Sequence, residues 1–482
     1  MIAPMAVDWT VIAPILPELL VIGVGILLIG FDLFLPRQRQ LLPWLTVIGS
    51  LGALIMVLGS QPASVFGGMF LLDGYAVVFK AICLAAVIVV ALMSEQFCSL
   101  IGMRQGEYYS LLLFSLVGML LMASAGDLMV LYLGLELMAL PIYALVGLHK
   151  REQRTSEAAI KYFLTGGFAS ALLLFGMSLL YGQTGTTDIA QIAEAIVTRH
   201  LTANPAMLVA LGLCLAGCCF KVAVAPFHLW TPDVYEGAPT IVTTFMSVGP
   251  KAAAFALFGR IFFFGLPHLH DYWGPILAGL ALLTMAVGNI TALCQQSLKR
   301  MLAYSSVAHA GYAVLGLLAG TAEGMAATMT YLVVYLFMNL GAFAILMLLA
   351  APGKAGESLD DCKGLASRHP LAAALMLVFL FSLTGIPPTG GFIGKFYLLK
   401  AAFTAGYTLT VVGAVLFSAV SAYFYLRVVR YMYMSEPLKQ GELAISSGMN
   451  AALALCLLGV LGIGLFPGLL LNWTIGLLTG TL

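Results

Sequence analysis

Residues 128–147 read LMVLYLGLELMALPIYALVG, a stretch in which Glu136 is the only charged residue. A helix needs about 20 apolar residues to cross the hydrocarbon core of a bilayer. Comparable runs recur along the whole chain of 482 residues, which is 61% hydrophobic and only 9% charged. A soluble globular protein carries about 25% charged residues. The composition therefore indicates an integral membrane protein.

The apolar runs and their short polar joints predict about fourteen transmembrane helices. We place them near residues 11–35, 41–59, 74–93, 108–124, 128–147, 158–181, 206–226, 240–264, 274–294, 302–319, 325–350, 372–400, 407–430 and 449–471. Strands are excluded from these runs because only helices and closed barrels satisfy every backbone group in lipid. Runs this long and solidly apolar are not barrel strands. The predicted fold class is an all-α, polytopic membrane helix bundle.

The Lys and Arg residues in the joints predict the orientation. With the amino terminus outside, the cytoplasmic joints hold Arg37, Arg39, Arg104, Lys150, Arg151, Arg154, Lys299, Arg300, Lys354, Lys363, Arg368, Arg427, Arg430 and Lys439. The opposite joints hold only Arg199, Arg260 and Lys400. Because short cytoplasmic loops are enriched in Lys and Arg, we predict that both termini face outward. The first residues contain no basic segment, so we expect the first span to be retained.

Two predicted spans contain helix breakers. The seventh reads CCFKVAVAPFHLWTPD (218–233), and the twelfth reads SLTGIPPTGGFIGKFYLLK (382–400). Pro226, Pro387 and Pro388 each lack a backbone donor and clash with the preceding turn, so these helices must open. The freed carbonyls are tolerated in a bilayer only where protein or water satisfies them. A kink that merely improves packing is the alternative for one such span alone.

The two breaks lie five spans apart, which favours an inverted repeat. Repeats of five helices insert in opposite orientation, and corresponding broken segments are typical of transporters with inverted repeats. We predict three N-terminal helices in 1–105, a first five-helix repeat in 106–266, a second in 267–435, and a C-terminal helix in 436–482.

Charged residues within spans are rare, face inward and are usually functional. Glu136 lies near the middle of the fifth span, where it either needs a cationic partner from another helix or stays protonated. Lys161 lies about one turn inside the sixth span. It is a candidate partner for Glu136, although Glu157 at i−4 offers an ordinary surface pair.

Four more ionisable side chains fall at or between the broken helices. Lys221 precedes the first break and His228 follows it; a lysine in apolar surroundings and a histidine both exchange protons near neutrality, so the two residues form a candidate relay. Lys251 lies in the middle of the eighth span, and Lys395 follows the second break. Lys80, in the third span, could instead reach the outer interface by extending its side chain.

Polar side chains on three further spans form a candidate secondary path. They are Ser305 and His309 in span 10, Tyr331, Tyr335 and Asn339 in span 11, and Ser418, Ser421, Tyr423 and Tyr425 in span 13. Polar contacts between packed helices explain many such stripes. Beside the buried lysines, His309, Tyr335 and Tyr423 in particular could hold ordered water for proton transfer.

Other chemistries find little support. The chain contains no dinucleotide-binding, Walker, metalloprotease or nucleophile-elbow motif. Its eight cysteines form no CxxC pair and mostly lie in apolar runs, so we expect packing residues and no metal or iron–sulfur site. The net charge of +1 gives no reason to expect a nucleic-acid partner.

Four stretches resemble the antiporter-like membrane subunits of respiratory complex I. They are SEAAIKYFL (156–164), FKVAVAPFHLWTPDVYEGAPT (220–240), SLKRMLAYSSVAHAGY (297–312) and LTGIPPTGGFIGKFYLL (383–399). The resemblance extends from the first span to the last. Individual pieces recur in Mrp-type cation/proton antiporters and membrane-bound hydrogenases.

The resemblance implies a role for each buried ionisable residue. Glu136 and Lys161 would form an intramembrane ion pair, and Lys221 would be the proton-exchanging lysine of the first broken helix. His228 would be the relay beside Lys221. Lys251 would be the central link, and Lys395 would be the site of the second channel. Lys80 has no role in the family pattern.

The resemblance also implies the setting of the chain. It would carry no cofactor itself, while NADH, FMN, iron–sulfur clusters and quinone would be bound by partner subunits. Its partners would be other membrane subunits of complex I, including antiporter-like relatives, and indirectly the peripheral redox arm, within the bacterial inner membrane. The alternatives are an Mrp-type or hydrogenase-linked cation/proton antiporter subunit and a self-contained solute transporter. The spread of charges over spans 5 to 12 disfavours the transporter.

Overall fold

The computed structural model describes residues 12–150, 152–350, 356–437 and 445–480, so Arg151, Lys354 and Lys439 lie outside the described residues. The helices are α1 (Leu16–Phe34), α2 (Leu42–Leu58), α3 (Gly74–Leu100), α4 (Gln105–Ser124), α5 (Leu128–Val146), α6 (Gln153–Thr184), α7 (Ile189–Thr198), α8 (Pro205–Val222), α9 (Trp230–Gly237), α10 (Thr240–Gly259), α11 (His270–Leu293), α12 (Leu298–Leu318), α13 (Ala322–Leu348), α14 (Leu365–Arg368), α15 (Pro370–Thr384), α16 (Gly390–Thr404), α17 (Thr408–Met434), α18 (Ser447–Leu465) and α19 (Pro467–Thr479). Strands β1 (Ala63–Val65) and β2 (Phe70–Leu72) form one antiparallel hairpin. Short 3₁₀ helices cover Ala13–Ile15, Pro36–Leu41, Pro267–Leu269 and Leu359–Cys362, and a short π-helix covers Arg260–Gly265.

The predicted helix bundle is confirmed. Within the described ranges, thirteen helical segments are long and apolar enough to cross a membrane. The predicted twelfth span is divided between α15 and α16, each of 15 residues, with the proline–glycine segment between them. Together with the thirteen long segments, this broken pair brings the number of observed spans to the predicted fourteen.

Several small elements occupy the joints between spans. The hairpin β1–β2 lies in the joint between α2 and α3, outside the predicted apolar runs. The amphipathic helix α7 lies in the joint before α8, and α19 follows the last predicted span and packs against α13 and α3. The sequence did not predict these three elements, because each is too short to produce a transmembrane signal.

Side-chain caps explain where several helices begin. Asp73, Asp127, Asp188, Asn204 and Ser297 are the N-cap residues of α3, α5, α7, α8 and α12, and each side chain accepts a hydrogen bond from a backbone N–H of the first turn. Such a cap satisfies one of the donors that a helix start leaves unpaired. Polar residues in the joints therefore fix the register at which each apolar run enters its helix.

The centre of the bundle is formed by α10, α12 and α13. Nearly all residues of these three helices are buried, whereas α1, α2, α17 and α18 expose most of their apolar side chains at the periphery. Because the central helices carry Lys251, His309 and Tyr335, these polar groups lie in the protein interior and not against lipid. An ionisable residue that faces the bundle interior is the usual mark of a functional site in a membrane protein.

Candidate functional site

The first broken helix opens directly after Lys221. Helix α8 ends at Val222, and Ala223 adopts a left-handed conformation with φ of 64°. Two backbone groups near the opening find side-chain partners: the Phe220 carbonyl accepts from the Trp230 indole at 3.1 Å, and the Ala225 amide donates to Thr284 at 2.9 Å. The predicted opening at Pro226 is confirmed, and side chains satisfy the backbone near the break.

Lys221 is held by a hydroxyl group. Its Nζ atom donates to Ser170 Oγ at 3.0 Å, and no described carboxylate forms an ion pair with it. Glu136 is the carboxylate whose charge acts on Lys221. Oε1 of Glu136 is buried and has no hydrogen-bond partner among the described residues. Glu136 thus lies within electrostatic range of Lys221, with no hydrogen bond or ion pair between the two residues.

The ion pair expected between Glu136 and Lys161 is not formed. Nζ of Lys161 lies 2.7 Å from Glu157 and 3.2 Å from Asp233, and its side chain is 47% exposed. Asp233 belongs to α9, which packs against α6 near Lys161 and so offers an accessible carboxylate. The surface pair with Glu157, the alternative in the sequence analysis, is the arrangement observed.

His228 lies in the turn between α8 and α9. Its side chain is buried, and Nδ1 has no hydrogen-bond partner among the described residues. The structure shows no direct hydrogen bond between His228 and Lys221. A relay between these two residues consequently requires an intervening water molecule or a side-chain movement.

Lys251 lies at the centre of the bundle and is buried. Its Nζ atom donates to the carbonyl oxygen of Ser306 at 2.7 Å and to Ser306 Oγ at 2.5 Å. The Tyr335 hydroxyl donates to the same Ser306 Oγ at 2.9 Å. Ser306 thus joins a lysine of α10 to a tyrosine of α13.

His309 has a phenol on each side of its ring. Nδ1 lies 2.5 Å from the Tyr331 hydroxyl, and Nε2 lies 3.1 Å from the Tyr425 hydroxyl. Tyr425 also forms a hydrogen bond with Ser305. The rings of His309 and Tyr335 are 5.3 Å apart, so the histidine cluster adjoins the Lys251 cluster.

Lys395 occupies the second broken helix. Helix α15 ends at Thr384, whose carbonyl oxygen accepts from Lys395 Nζ at 2.8 Å, and Ser418 Oγ accepts from the same Nζ at 3.0 Å. The ammonium group also lies 4.6 Å from the centre of the Tyr312 ring. The opened backbone of the second break thus supplies one of the acceptors that hold Lys395.

One glycine explains how this second break packs. At Gly391, the second residue of α16, an added Cβ atom would lie 1.7 Å from the carbonyl oxygen of Ser382. The Gly391 amide donates to Ser382 Oγ at 3.1 Å. Only glycine permits this close approach, which brings α15 and α16 together beside Lys395.

The predicted position of Tyr423 on the polar path is wrong. Its side chain is 67% exposed on the outer face of α17, whereas Tyr425 is buried and contacts His309. Residues two apart on a helix point about 200° away from each other, so both tyrosines cannot face the bundle interior. Tyr425 takes the place that was assigned to Tyr423.

Lys80 does not reach the outer interface, contrary to the prediction. It is completely buried and forms an ion pair of 2.7 Å with Glu18 of α1, whose side chain is 2% exposed. Glu18 was missed in the sequence analysis, although it lies inside the first predicted span. Lys80 itself was the signal, since a lysine that deep requires a partner.

Helices broken beside buried lysines, with a polar connection at mid-bundle, define the class of antiporter-like membrane subunits. The family model described as "NADH:quinone oxidoreductase/Mrp antiporter, TM" matches residues 125–421. The chain is 55% identical to NADH-quinone oxidoreductase subunit N of Desulfovibrio desulfuricans, over 98% of this chain and 97% of the relative. It is 45% identical to subunit N 2 of Rhizobium meliloti, over 97% of both chains. The chain belongs to the subunit N family of NADH-quinone oxidoreductases.

Solved structures agree with this assignment. A chain of respiratory complex I from Thermus thermophilus is 35% identical, with a TM-score of 0.81 over 95% of this chain and 98% of that chain. A chain of the Mrp complex from Dietzia sp. is similar in fold, with 22% identity and a TM-score of 0.81 over 96% of this chain and 97% of that chain. The bundle is therefore the fold that complex I and Mrp subunits share.

Proposed function

We propose that this chain translocates protons as a membrane subunit of NADH-quinone oxidoreductase, driven by electron transfer from NADH to quinone in partner subunits. The observation that carries the proposal is the environment of Lys221, Lys251 and Lys395. All three are held by hydroxyl or carbonyl oxygens, and none forms an ion pair with a described carboxylate. Such acceptors bind an amine in either protonation state, whereas a carboxylate that stays ionised favours the protonated lysine.

The polar groups between the lysines suit proton transfer. A hydroxyl group donates and accepts at once, and a neutral imidazole donates from one nitrogen and accepts at the other. A proton released by Lys251 can pass through Ser306 to Tyr335, and through His309 to Tyr425, when each group reorients after transfer. The gaps between Tyr335 and His309 and between His309 and Lys395 would be crossed by water.

Glu136 would set the charge state of the first lysine. A carboxylate that acts on Lys221 favours its protonated form when ionised and releases that preference when protonated. In this proposal Glu136 and Lys221 load a proton together, His228 connects the loaded site to the cytoplasmic side, and Lys395 delivers a proton to the outer side. At the cytoplasmic end of α6, the carboxylates of Glu157 and Asp233 would attract protons, and Lys161 would hold the two carboxylates together.

The redox chemistry would take place in partner subunits. Among the described residues, no group of three His, Cys, Asp or Glu side chains could hold a metal ion. We propose that NADH, FMN, iron–sulfur clusters and quinone are bound by the other subunits, that the membrane neighbours include antiporter-like relatives, and that both termini of this chain face the periplasm.

Purification of the chain in mild detergent tests the assignment. An affinity-tagged chain should co-purify with other membrane subunits and with a peripheral arm that oxidises NADH, and the reconstituted assembly should acidify one side of the vesicle. Sodium movement in exchange for protons without NADH oxidation, or a chain isolated without redox partners, would favour the cation/proton antiporter instead.

A further inference from the structure

Glu18 and Lys80 form a buried ion pair apart from the lysines of the proposed path. The pair joins α1 to α3, with side chains that are 2% and 0% exposed. Apart from this contact, neither oxygen of Glu18 nor Nζ of Lys80 has a hydrogen-bond partner among the described residues. The ring of Phe70 lies 4.7 Å from the lysine ammonium and closes another side of it.

A second buried lysine provides the contrast. Lys299 is also 2% exposed and paired with a glutamate, Glu357, at 2.7 Å, but its Nζ also donates to the carbonyl oxygens of Glu236 and Ala238. All three protons of that ammonium group are bound, as expected of a structural cation. Lys80 has Glu18 alone, so burial of its charge is compensated much less completely.

Proton transfer within the pair removes this cost. The N–H bond of Lys80 breaks, an O–H bond forms on Glu18, and a buried ion pair becomes a neutral amine beside a neutral carboxylic acid. Neutral groups cost far less to bury than charges. The arrangement therefore places two protonation states of the pair close together in free energy, which a fully bonded cation such as Lys299 does not allow.

Lys80 of this pair lies on α3 between a contact with α10 and the exposed N-terminal end of the helix. Asp73, the N-cap of α3, lies seven residues before Lys80 on the same helix face, and its side chain is 40% exposed. Arg260 binds Asp73 at 2.7 Å, and these two residues and Glu18 are the charged groups that act on Lys80. Cys83 lies one turn beyond Lys80 on α3, and its Sγ atom is 3.9 Å from the carbonyl oxygen of Gly249. Gly249 precedes Lys251 by two residues on α10.

We propose that Glu18 and Lys80 form an additional proton-exchange site between Lys251 and the outer surface at Asp73. This inference rests on the proposed function, since it assigns the pair to the outward release of the translocated proton. A proton that reaches the neutral pair protonates Lys80, and its departure toward Asp73 restores the neutral state. The N-terminal helices would then take part in proton translocation as well as in packing.

Two variants in the assembled complex test the site. Lys80→Arg keeps a cation that cannot release a proton near neutral pH, and Glu18→Gln with Lys80→Met replaces the pair by neutral groups of similar size. We expect both to assemble and oxidise NADH while losing protons pumped per NADH. Asp32→Asn, which removes the α1 carboxylate that pairs with the exposed Arg39, is the matched control and should pump normally. Wild-type pumping by either assembled test variant would overturn the proposal.

Infrared difference spectra of the purified complex across pH give a readout that does not depend on pumping. A protonated carboxyl band that is present in the wild type and absent from Glu18→Gln supports the exchange site. If the wild-type complex shows no such band, the proposal is overturned, even when neither test variant assembles. Normal pumping by Lys221→Arg would contradict the proposed function itself and would leave this band unaffected.

Discussion

Lys395 Nζ donates a hydrogen bond of 2.8 Å to the carbonyl oxygen of Thr384, the last residue of the helix that breaks before it. The broken helix thus supplies its own unpaired backbone acceptor to a buried lysine. Ser418 Oγ bonds to both partners, at 3.0 Å to Lys395 and 3.2 Å to Thr384. Among the described residues, no carboxylate pairs with Lys395, so the triangle holds the lysine by neutral oxygens alone. Such a site suits a lysine that gains and loses a proton.

Removal of the cation from this triangle should impair pumping more than removal of one ligand does. Lys395→Met should abolish proton transfer through the second broken helix, whereas Ser418→Ala deletes one hydrogen bond, worth about 1 kcal/mol, and leaves the Thr384 carbonyl in place. Proton pumping per NADH in assembled complexes measures both. Equal losses in the two variants would contradict the assignment of Lys395 as the exchanging group.

Tyr425 and Tyr423 provide a matched pair of substitutions. Tyr425→Phe removes the hydroxyl that bonds to His309 and Ser305 and should slow pumping, at a cost in stability of about 1 kcal/mol. Tyr423→Phe removes an exposed hydroxyl from the same helix and should leave pumping unchanged. A larger effect at Tyr423 would mean that α17 presents its other face to the path.

Glu136 should be coupled to Lys221 and not to Lys161. A double-mutant cycle of Glu136→Gln with Lys221→Met, scored by pumping, should show a coupling of about 0.5–3 kcal/mol, as found for residues that interact. The parallel cycle with Lys161→Met should give additive losses, because Lys161 pairs with Glu157 and Asp233. Coupling confined to the Lys161 cycle would restore the ion pair that the family resemblance implied.

Single-cysteine labelling tests the predicted orientation. After Cys294, the exposed native cysteine, is replaced by serine, Ala203→Cys should react with a membrane-impermeant maleimide added from outside. Glu152→Cys, in the predicted cytoplasmic joint, should react only after the membrane is permeabilised. The reverse pattern would contradict the predicted orientation and would place the amino terminus on the cytoplasmic side.

The sequence predicted the bundle, the two breaks and the burial of Lys251, His309 and Lys395, because apolar length and proline position act locally. Partner choice was not predictable, since Asp233 lies 72 residues from Lys161 and meets it only after α9 packs against α6. The division into two inverted repeats stays a prediction.

Two errors have a physical origin in single helices. Hydropathy does not separate Tyr423 from Tyr425, because the two side chains are identical and little of α17 is buried. Glu18 lies in the first turn of α1, and its depth became apparent only from its contact with Lys80. Both residues show that packing, and not composition, decides which face of a membrane helix points into the bundle.

The central claim is that Lys221 exchanges protons, and the Lys221→Arg variant tests it most directly. Arginine keeps the positive charge beside Ser170 and within electrostatic range of Glu136 but cannot release a proton near neutral pH. The measurement is the number of protons pumped per NADH oxidised by the assembled complex in sealed vesicles. We predict that assembly is retained and that pumping falls nearly as far as in Lys221→Ala. Pumping at the wild-type ratio in Lys221→Arg would contradict the account and leave Lys221 as a structural cation.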